Sequence, residues 1–440
     1  MDVAPFVNFS PIAARPAAPI HSRTVPLTAN RRSRLSAFAL KSLILLPLIV
    51  SGCNRYRFPN YPATYREFAY VTNGASGTVT ILDLVYLRQD RVLQVGRQPT
   101  GLAVNPVRNE VYAANAGSDS ISVIDAANSR VAATIGVHRT PYFVAVAPDG
   151  KRAYVPNSGS NTVSVIDLDT RREIAVAATG EGPGKALVSP DNRILVVTNR
   201  VAGSVSLYTI TSDAIHPLQF REAFDGCPGA TDAVIEPDDV THPESGAKVF
   251  VACSGGHQVM DIWLGAASGS WRATQDPGTQ RDAKLAILDV GKTPTHLTLK
   301  ATQAQVFCTN FGADSVSEIS TWTNEVAQTF PVGSKPSRGV ISADDALAPP
   351  NSYWVTDFGA DSVSLYSTDE NRVTTSVHTG SHPDAIAFSA DQHLLLVADS
   401  GSADVAVIRT QSKDGIPSLV TLLPAGVSPN DIVVKSFHAK

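Results

Sequence analysis

The chain has 440 residues, 43% apolar and 17% charged, with 30 Gly, 29 Pro and 4 Cys, which excludes a disordered or fibrous protein and permits a large core. Its formal net charge is −4; Arg15, Arg23, Arg31, Arg32, Arg34 and Lys41 against Asp2 give the first 52 residues +5, leaving −9 for the rest. That acidity argues against a nucleic-acid binder.

In residues 31–53, RRSRLSAFALKSLILLPLIVSGC, a basic cluster leads into an apolar run at 42–50 and then small residues. Nine or so apolar residues are too few to span a bilayer, so the run reads as a secretory signal within 1–52. Val50, Ser51, Gly52 and Cys53 resemble the lipobox of bacterial lipoproteins, which implies lipidation of Cys53 and a membrane partnership through that anchor. Residues 1–30 are long for such a leader and read as a start codon assigned too far upstream. Asn54, rather than Asp, follows the cysteine; by the same resemblance the location is the cell envelope, outer membrane by default. Residues 53–67 read as a tether carrying Tyr56, Phe58, Tyr61 and Tyr65, aromatic residues that pack on the following domain or sit at the lipid interface.

From there the chain repeats. Tyr70-Val71-Thr72-Asn73, GASG and TVTILDL form a strand, a polar turn and a second strand, and the phrase returns from Tyr112, Tyr154 and Val196. The pivotal asparagines, Asn73, Asn115, Asn157 and Asn199, lie 42 residues apart; weaker copies center on Cys253, Asn310, Asp357 and Asp399. A second phrase, Gly with Pro three residues later, introduces an apolar strand ahead of each copy, as in GRQPTGLAVNP, and closes the chain in GVSPNDIVV. Val, Ile, Thr and Tyr fill the strands while Gly, Asn, Asp and Pro punctuate them. Four short strands per 42 residues predict an all-β fold, a single β-propeller over 68–440. Eight phrases of each kind give eight blades, with seven as the alternative because 226–290 is degenerate. The last Pro-led strand lacks a phrase and the first phrase lacks that strand, so the two ends are expected to share a blade and close the ring. The tether then joins the bottom face, and 14 extended residues reach at most about 46 Å, so the bottom faces the membrane.

The repeats resemble the YVTN family of β-propellers, whose namesake phrase stands at Tyr70 to Asn73. The resemblance covers about 68–434 and specifies fold, not activity; related propellers include lactonases, lyases and quinoprotein or electron-transfer partners.

The periodic Asn and Asp residues sit where strands meet turns and read as structural. Cys227 and Cys253 fall at neighboring positions of adjacent strands and are disulfide candidates in an oxidizing compartment, while Cys308 replaces an apolar strand residue. The loops around each Pro phrase converge on the top of the central channel. They carry the ligand-binding candidates Arg97, Arg139, Lys185, His296, Lys335, Arg338, His382, Asp384 and Asp431, with Lys292 and His138 beside them. Such cations would suit an anion or carboxylate. Three insertions, 236–248, 265–284 and 342–353, are placed at the bottom, and all four Trp lie between 263 and 354. No haem, zinc-protease or serine-hydrolase motif occurs, and His378, His382 and His393 have no metal-site spacing. The sequence therefore reads as a monomeric binding or scaffold module with no cofactor, no metal and no catalytic residue assigned. Its partner would be an envelope protein or a small anionic ligand; the alternative is an enzyme or enzyme accessory working at the top mouth.

Overall fold

In a computed structural model, residues 59–213, 215–236, 247–265, 281–344, 346–411 and 415–439 are described. All of residues 1–58, Cys53, Tyr56 and Phe58 among them, and the greater part of the insertions at 236–248 and 265–284, with Trp271, lie outside them. The described strands form eight four-stranded antiparallel sheets: the protein is an eight-bladed β-propeller. Seven blades are built from consecutive strands, for example Pro99–Val104, Glu110–Asn115, Ser120–Asp125 and Arg130–Gly136 in blade 2. Blade 1 takes Tyr65–Asn73, Thr78–Asp83 and Arg88–Gln94 from one end and Pro429–His438 from the other. There Tyr65 pairs with His438 and Asn73 with Pro429, so the ring closes through backbone hydrogen bonds. The segment read as tether is partly structural: the first strand already begins at Tyr65. Tyr61 stacks on Tyr65 with ring centroids 4.6 Å apart and donates to Asp391 Oδ2 at 2.7 Å, which fixes the entering chain against the bottom turn of blade 8.

The repeat phrase explains itself in contacts. The residue three before each pivot, such as Tyr70, Tyr112, Tyr154, Phe250, Phe307 and Trp354, is fully buried and lies in clusters that span adjacent blades, as Tyr112 does with Val155 and Ile166. The pivot locks its own hairpin. Asn73 Nδ2 donates to Thr78 Oγ1 at 3.0 Å and Thr80 Oγ1 at 2.9 Å, and Asn115, Asn157, Asn199 and Asn310 do the same with their own Ser or Thr five and seven residues on. Asn73 Oδ1 also accepts from Gly426 N at 3.0 Å, clasping the loop that leads to the next inner strand. That is why the loop needs glycine: at Gly96 a Cβ would lie 2.6 Å from Asn115 Cβ.

Blade 5 replaces this clasp. Cys253 occupies the pivot and is joined by a disulfide to Cys227 in the loop, with Cα atoms 4.7 Å apart. Cys308 is a buried free thiol whose burial pushes its pKa up. In blades 7 and 8 the pivot is Asp. Asp357 is served by Ser362 and Ser364, but Asp399 faces Asp404 across the strand pair where a hydroxyl would stand. The third insertion packs on blade 8, where Ala343 N donates to Gln392 Oε1 at 2.9 Å and Leu347 N to Asp391 O at 3.0 Å. Of the described tryptophans, Trp354 is fully buried, and Trp322 is exposed.

Candidate functional site at the channel mouth

Seven inner strands begin at a proline or, in blade 5, at Ala230; in blade 3 Pro141 holds the same place as an isolated bridge to Asn157, ahead of the short strand Ala145–Val146, and the position two residues on from each lies at the top of the channel. Registers align seven of these positions opposite, or one step from, the residue preceding the pivot of the neighboring strand, and in blade 3 the bridge of Pro141 to the pivot Asn157 places Phe143 correspondingly. Going round from blade 1 they are Asp431, Gly101, Phe143, Lys185, Asp232, His296, Arg338 and Ala385. The repeat fixes the backbone of this ring and leaves its chemistry free, and no two neighbors are alike. Six of them, all but Gly101 and Ala385, line a cavity of about 250 Å³ together with residues beside them. Gly101 makes room for Phe143, since a Cβ there would lie 3.1 Å from Phe143 Cδ2.

The charges are paired across blades. Lys185 Nζ bonds Asp232 Oδ1, and Asp232 Oδ2 accepts from Leu297 N at 2.9 Å. Burial pushes the Asp232 carboxyl up, but Lys185 and these hydrogen bonds outweigh it and hold the pKa below the usual range. Arg338 donates to Asp431 Oδ1 at 3.0 Å and stands 3.8 Å from Asp384 Oδ1; burial opposes its charge, and the two carboxylates keep it on. Ser337 Oγ donates to Asp384 at 2.6 Å. His296 Nε2 lies 3.8 Å from Asp232 Oδ2, while its Nδ1 accepts from Gly339 N at 3.3 Å. Burial, seconded by Lys185 and Arg338, lowers its pKa to about 4 against the pull of Asp232. The imidazole is therefore neutral at pH 7, with its proton on Nε2, and meets a ligand as a donor rather than a base.

Of the candidates read from the sequence, Lys185, His296, Arg338, Asp384 and Asp431 converge in this mouth. The others do not. Arg97 borders a cleft between blades 1 and 2 that shares Thr100 with the mouth, and Arg97 itself does not line the mouth. Arg139, Lys335 and His382 stand in exposed rim turns. Lys335 and His382 have φ of 54° there, and their backbone N–H groups are taken by Asp314 and Asp361, each at 2.8 Å. His382 lays its ring against Phe358 instead, 4.7 Å between centroids. The cationic mouth expected from the loops is thus a charge-balanced one: Lys185, Arg200 and Arg338 face Asp232, Asp384 and Asp431.

Of the lining residues that escaped sequence reading, Asp232, Arg200 and Tyr142 shape the electrostatics of the mouth. Asp232 was hidden because blade 5 has a shortened loop: counting two residues on from Pro228 lands on Ala230, whereas the register shows that Ala230 itself takes the proline position. Arg200 follows the pivot Asn199, where other blades carry small or aromatic residues. Tyr142 follows Pro141 and holds Arg200 over its ring at 4.8 Å. The signal for Arg200 was available as the single charged residue in that column of the repeat.

No family model and no curated protein sequence matches the chain. Among solved structures it is similar to the dihydro-heme d1 dehydrogenase NirN, at 13% identity with a TM-score of 0.65 over 87% of this chain and 76% of that one. It is similar as well to apo AztD from Citrobacter koseri, at 11% identity, TM-score 0.57, over 84% and 98%. A third is a putative 6-phosphogluconolactonase from Bacteroides fragilis, at 13% identity, TM-score 0.56, over 86% and 100%. At these identities the likeness is one of fold, and three differently described neighbors on one architecture leave function to the site. Among the described residues no three His, Cys, Asp or Glu side chains gather as a metal site, and no helix is long and apolar enough to cross a membrane.

Proposed function

We propose that this chain is an envelope propeller, held by lipid on Cys53 with its bottom face toward the membrane, that binds a small polar ligand in its top mouth. The observation that carries the reading is the ring itself: equivalent positions near the start of the eight inner strands hold Asp, Gly, Phe, Lys, Asp, His, Arg and Ala, and six of them line the mouth. A merely structural ring would repeat, as the buried pivots largely do. Binding is favored over turnover because His296 lacks a free basic nitrogen and two of the three mouth cations, Lys185 and Arg338, are already neutralized by carboxylates. Tyr61 and Tyr65, locked onto the bottom of the ring, support the orientation. The fold neighbors include proteins titled as a dehydrogenase and a lactonase, so the same mouth in an enzyme or accessory role is the reading to exclude.

The full chain purified in detergent should be stabilized by a polar small molecule from a panel of carboxylates, lactones, phosphates, sugars and short peptides. Saturation to 100-fold over Kd corresponds to about 2.7 kcal/mol. Asp384→Asn, a near-isosteric change, should remove the thermal shift without lowering the unliganded melting temperature; a shift that survives it removes the mouth as the site. For the anchor, Cys53→Ala should move the protein from the membrane fraction to the soluble fraction on cell disruption, and retention in the membrane would sink lipidation.

A further inference from the structure

This inference rests on the mouth as a ligand site and names the class of ligand it takes. Lys185 and Arg338 spend their charge on Asp232 and on Asp431 with Asp384. Arg200 does not: among the described residues it makes no ion pair, and its guanidinium is held only by the Tyr142 face at 4.8 Å. Its stem runs inward across Gly184, where a Cβ would come within 2.6 Å of Arg200 Cδ. Arg200 thus arrives at the mouth pre-placed, with its N–H fork uncommitted.

Arg200 and Thr231 line the mouth and also a second cavity of about 360 Å³, walled by small residues, Ser158, Gly182, Gly229 and Ser254. The two cavities therefore meet at Arg200 as one elongated cleft. Its ends differ in sign. With His296 neutral, the inner end sets Lys185 and Arg338 against Asp232, Asp384 and Asp431, an excess of one negative charge; the junction holds the positive charge of Arg200. At the inner end Asp384 Oδ1 takes the Ser337 hydroxyl at 2.6 Å and faces Arg338, while Oδ2 has no hydrogen bond among the described residues.

We propose that the cleft binds an elongated zwitterion, such as a short peptide or an ω-amino acid. Its ammonium group meets Asp384 in the mouth, and its carboxylate lies in the fork of Arg200 at the start of the groove. Both contacts are charge-assisted, and the arginine contact is bidentate. A ligand with one charge satisfies one end and leaves the other pole of the cleft unanswered.

The test is calorimetric titration of the full chain with triglycine and 6-aminohexanoate, against hexylamine, hexanoate and glucose. The zwitterions should bind at least tenfold more tightly than the singly charged controls. Arg200→Gln should weaken triglycine at least tenfold and leave hexylamine unchanged, Asp384→Asn should weaken hexylamine and triglycine, and Arg97→Gln, which lines neither the mouth nor the second cavity, should change nothing. Equal affinity for hexanoate and 6-aminohexanoate, or an unaltered triglycine affinity in Arg200→Gln, overturns the inference. Glucose binding that is lost in Asp384→Asn, with no zwitterion bound, would retain the mouth as a site and discard this ligand class. Absence of binding by every probe overturns the ligand class and also counts against the mouth.

Discussion

Replacing Cys227 and Cys253 together with alanine is expected to destabilize the protein by about 3 kcal/mol, the loop-closure entropy of a cross-link over a separation of 26 residues. Blade 5 has no reserve. Elsewhere the pivot asparagine is anchored by hydroxyls five and seven residues on, but in blade 5 those positions are Gln258 and Met260. Cys253→Asn should therefore recover none of the loss. The loop freed by the missing bridge leads directly into the strand that presents Asp232 opposite Lys185, so ligand affinity should fall along with stability. Urea titrations with and without reductant measure the first effect; a wild-type midpoint indifferent to reductant, with the bond verified as broken, would show that the bridge contributes nothing.

Asp399→Asn should stabilize the protein, and by an amount that depends on pH. Burial, with Asp404 at hydrogen-bonding range, raises the Asp399 pKa from an ordinary 3.8 to about 8. A carboxyl whose folded pKa lies above its unfolded one gives its full contribution below about pH 4. That contribution is lost as pH rises toward 8, because the unfolded chain ionizes freely and the folded chain cannot. At about 1.4 kcal/mol per unit, discounted for relaxation around the charge, the mutant should gain about 3 kcal/mol at pH 8 and almost nothing at pH 4. The Asn amide would donate to Asp404 while its oxygen keeps the Gly380 N–H now bound at 3.0 Å. Asp357→Asn should show a smaller gain, since its hydroxyl partners hold that pKa at about 6. Melting temperatures from pH 4 to 8.5 decide it, and a gain that does not vary with pH refutes the account.

The fold was legible because each blade repeats one physical solution. Pivot, turn and Pro-led strand recur with apolar residues that bury between blades, so even the share of blade 1 contributed by Pro429–His438 could be inferred from a surplus at one end and a deficit at the other. The seven-blade alternative arose where Cys253 hides the pivot and the shortened loop hides the proline. The site was only half legible for the same reason. Phrase position tells which residues lie near the top, and Lys185, His296, Arg338, Asp384 and Asp431 line one cavity there, but it does not tell whether a residue stands in the turn or on the strand. Lys335 and Arg338 are three residues apart, yet one is a solvent-facing turn residue with φ 54° and the other is clamped between two carboxylates. Pairing also cancels the electrostatic expectation: a count of cations along the loops cannot see that Lys185 pairs with Asp232 and Arg338 with Asp431.

The mixed parentage of blade 1 has a kinetic meaning. Its strand Tyr65–Asn73 is made before the other seven blades, and its partner Pro429–His438 after them. During the whole of that interval a strand edge stays exposed and competes for β-strands of other molecules. A chain cut short by a premature stop codon keeps that edge, so truncated products are the ones destined for aggregation or proteolysis, and the shared blade acts as a built-in check that synthesis ran to completion.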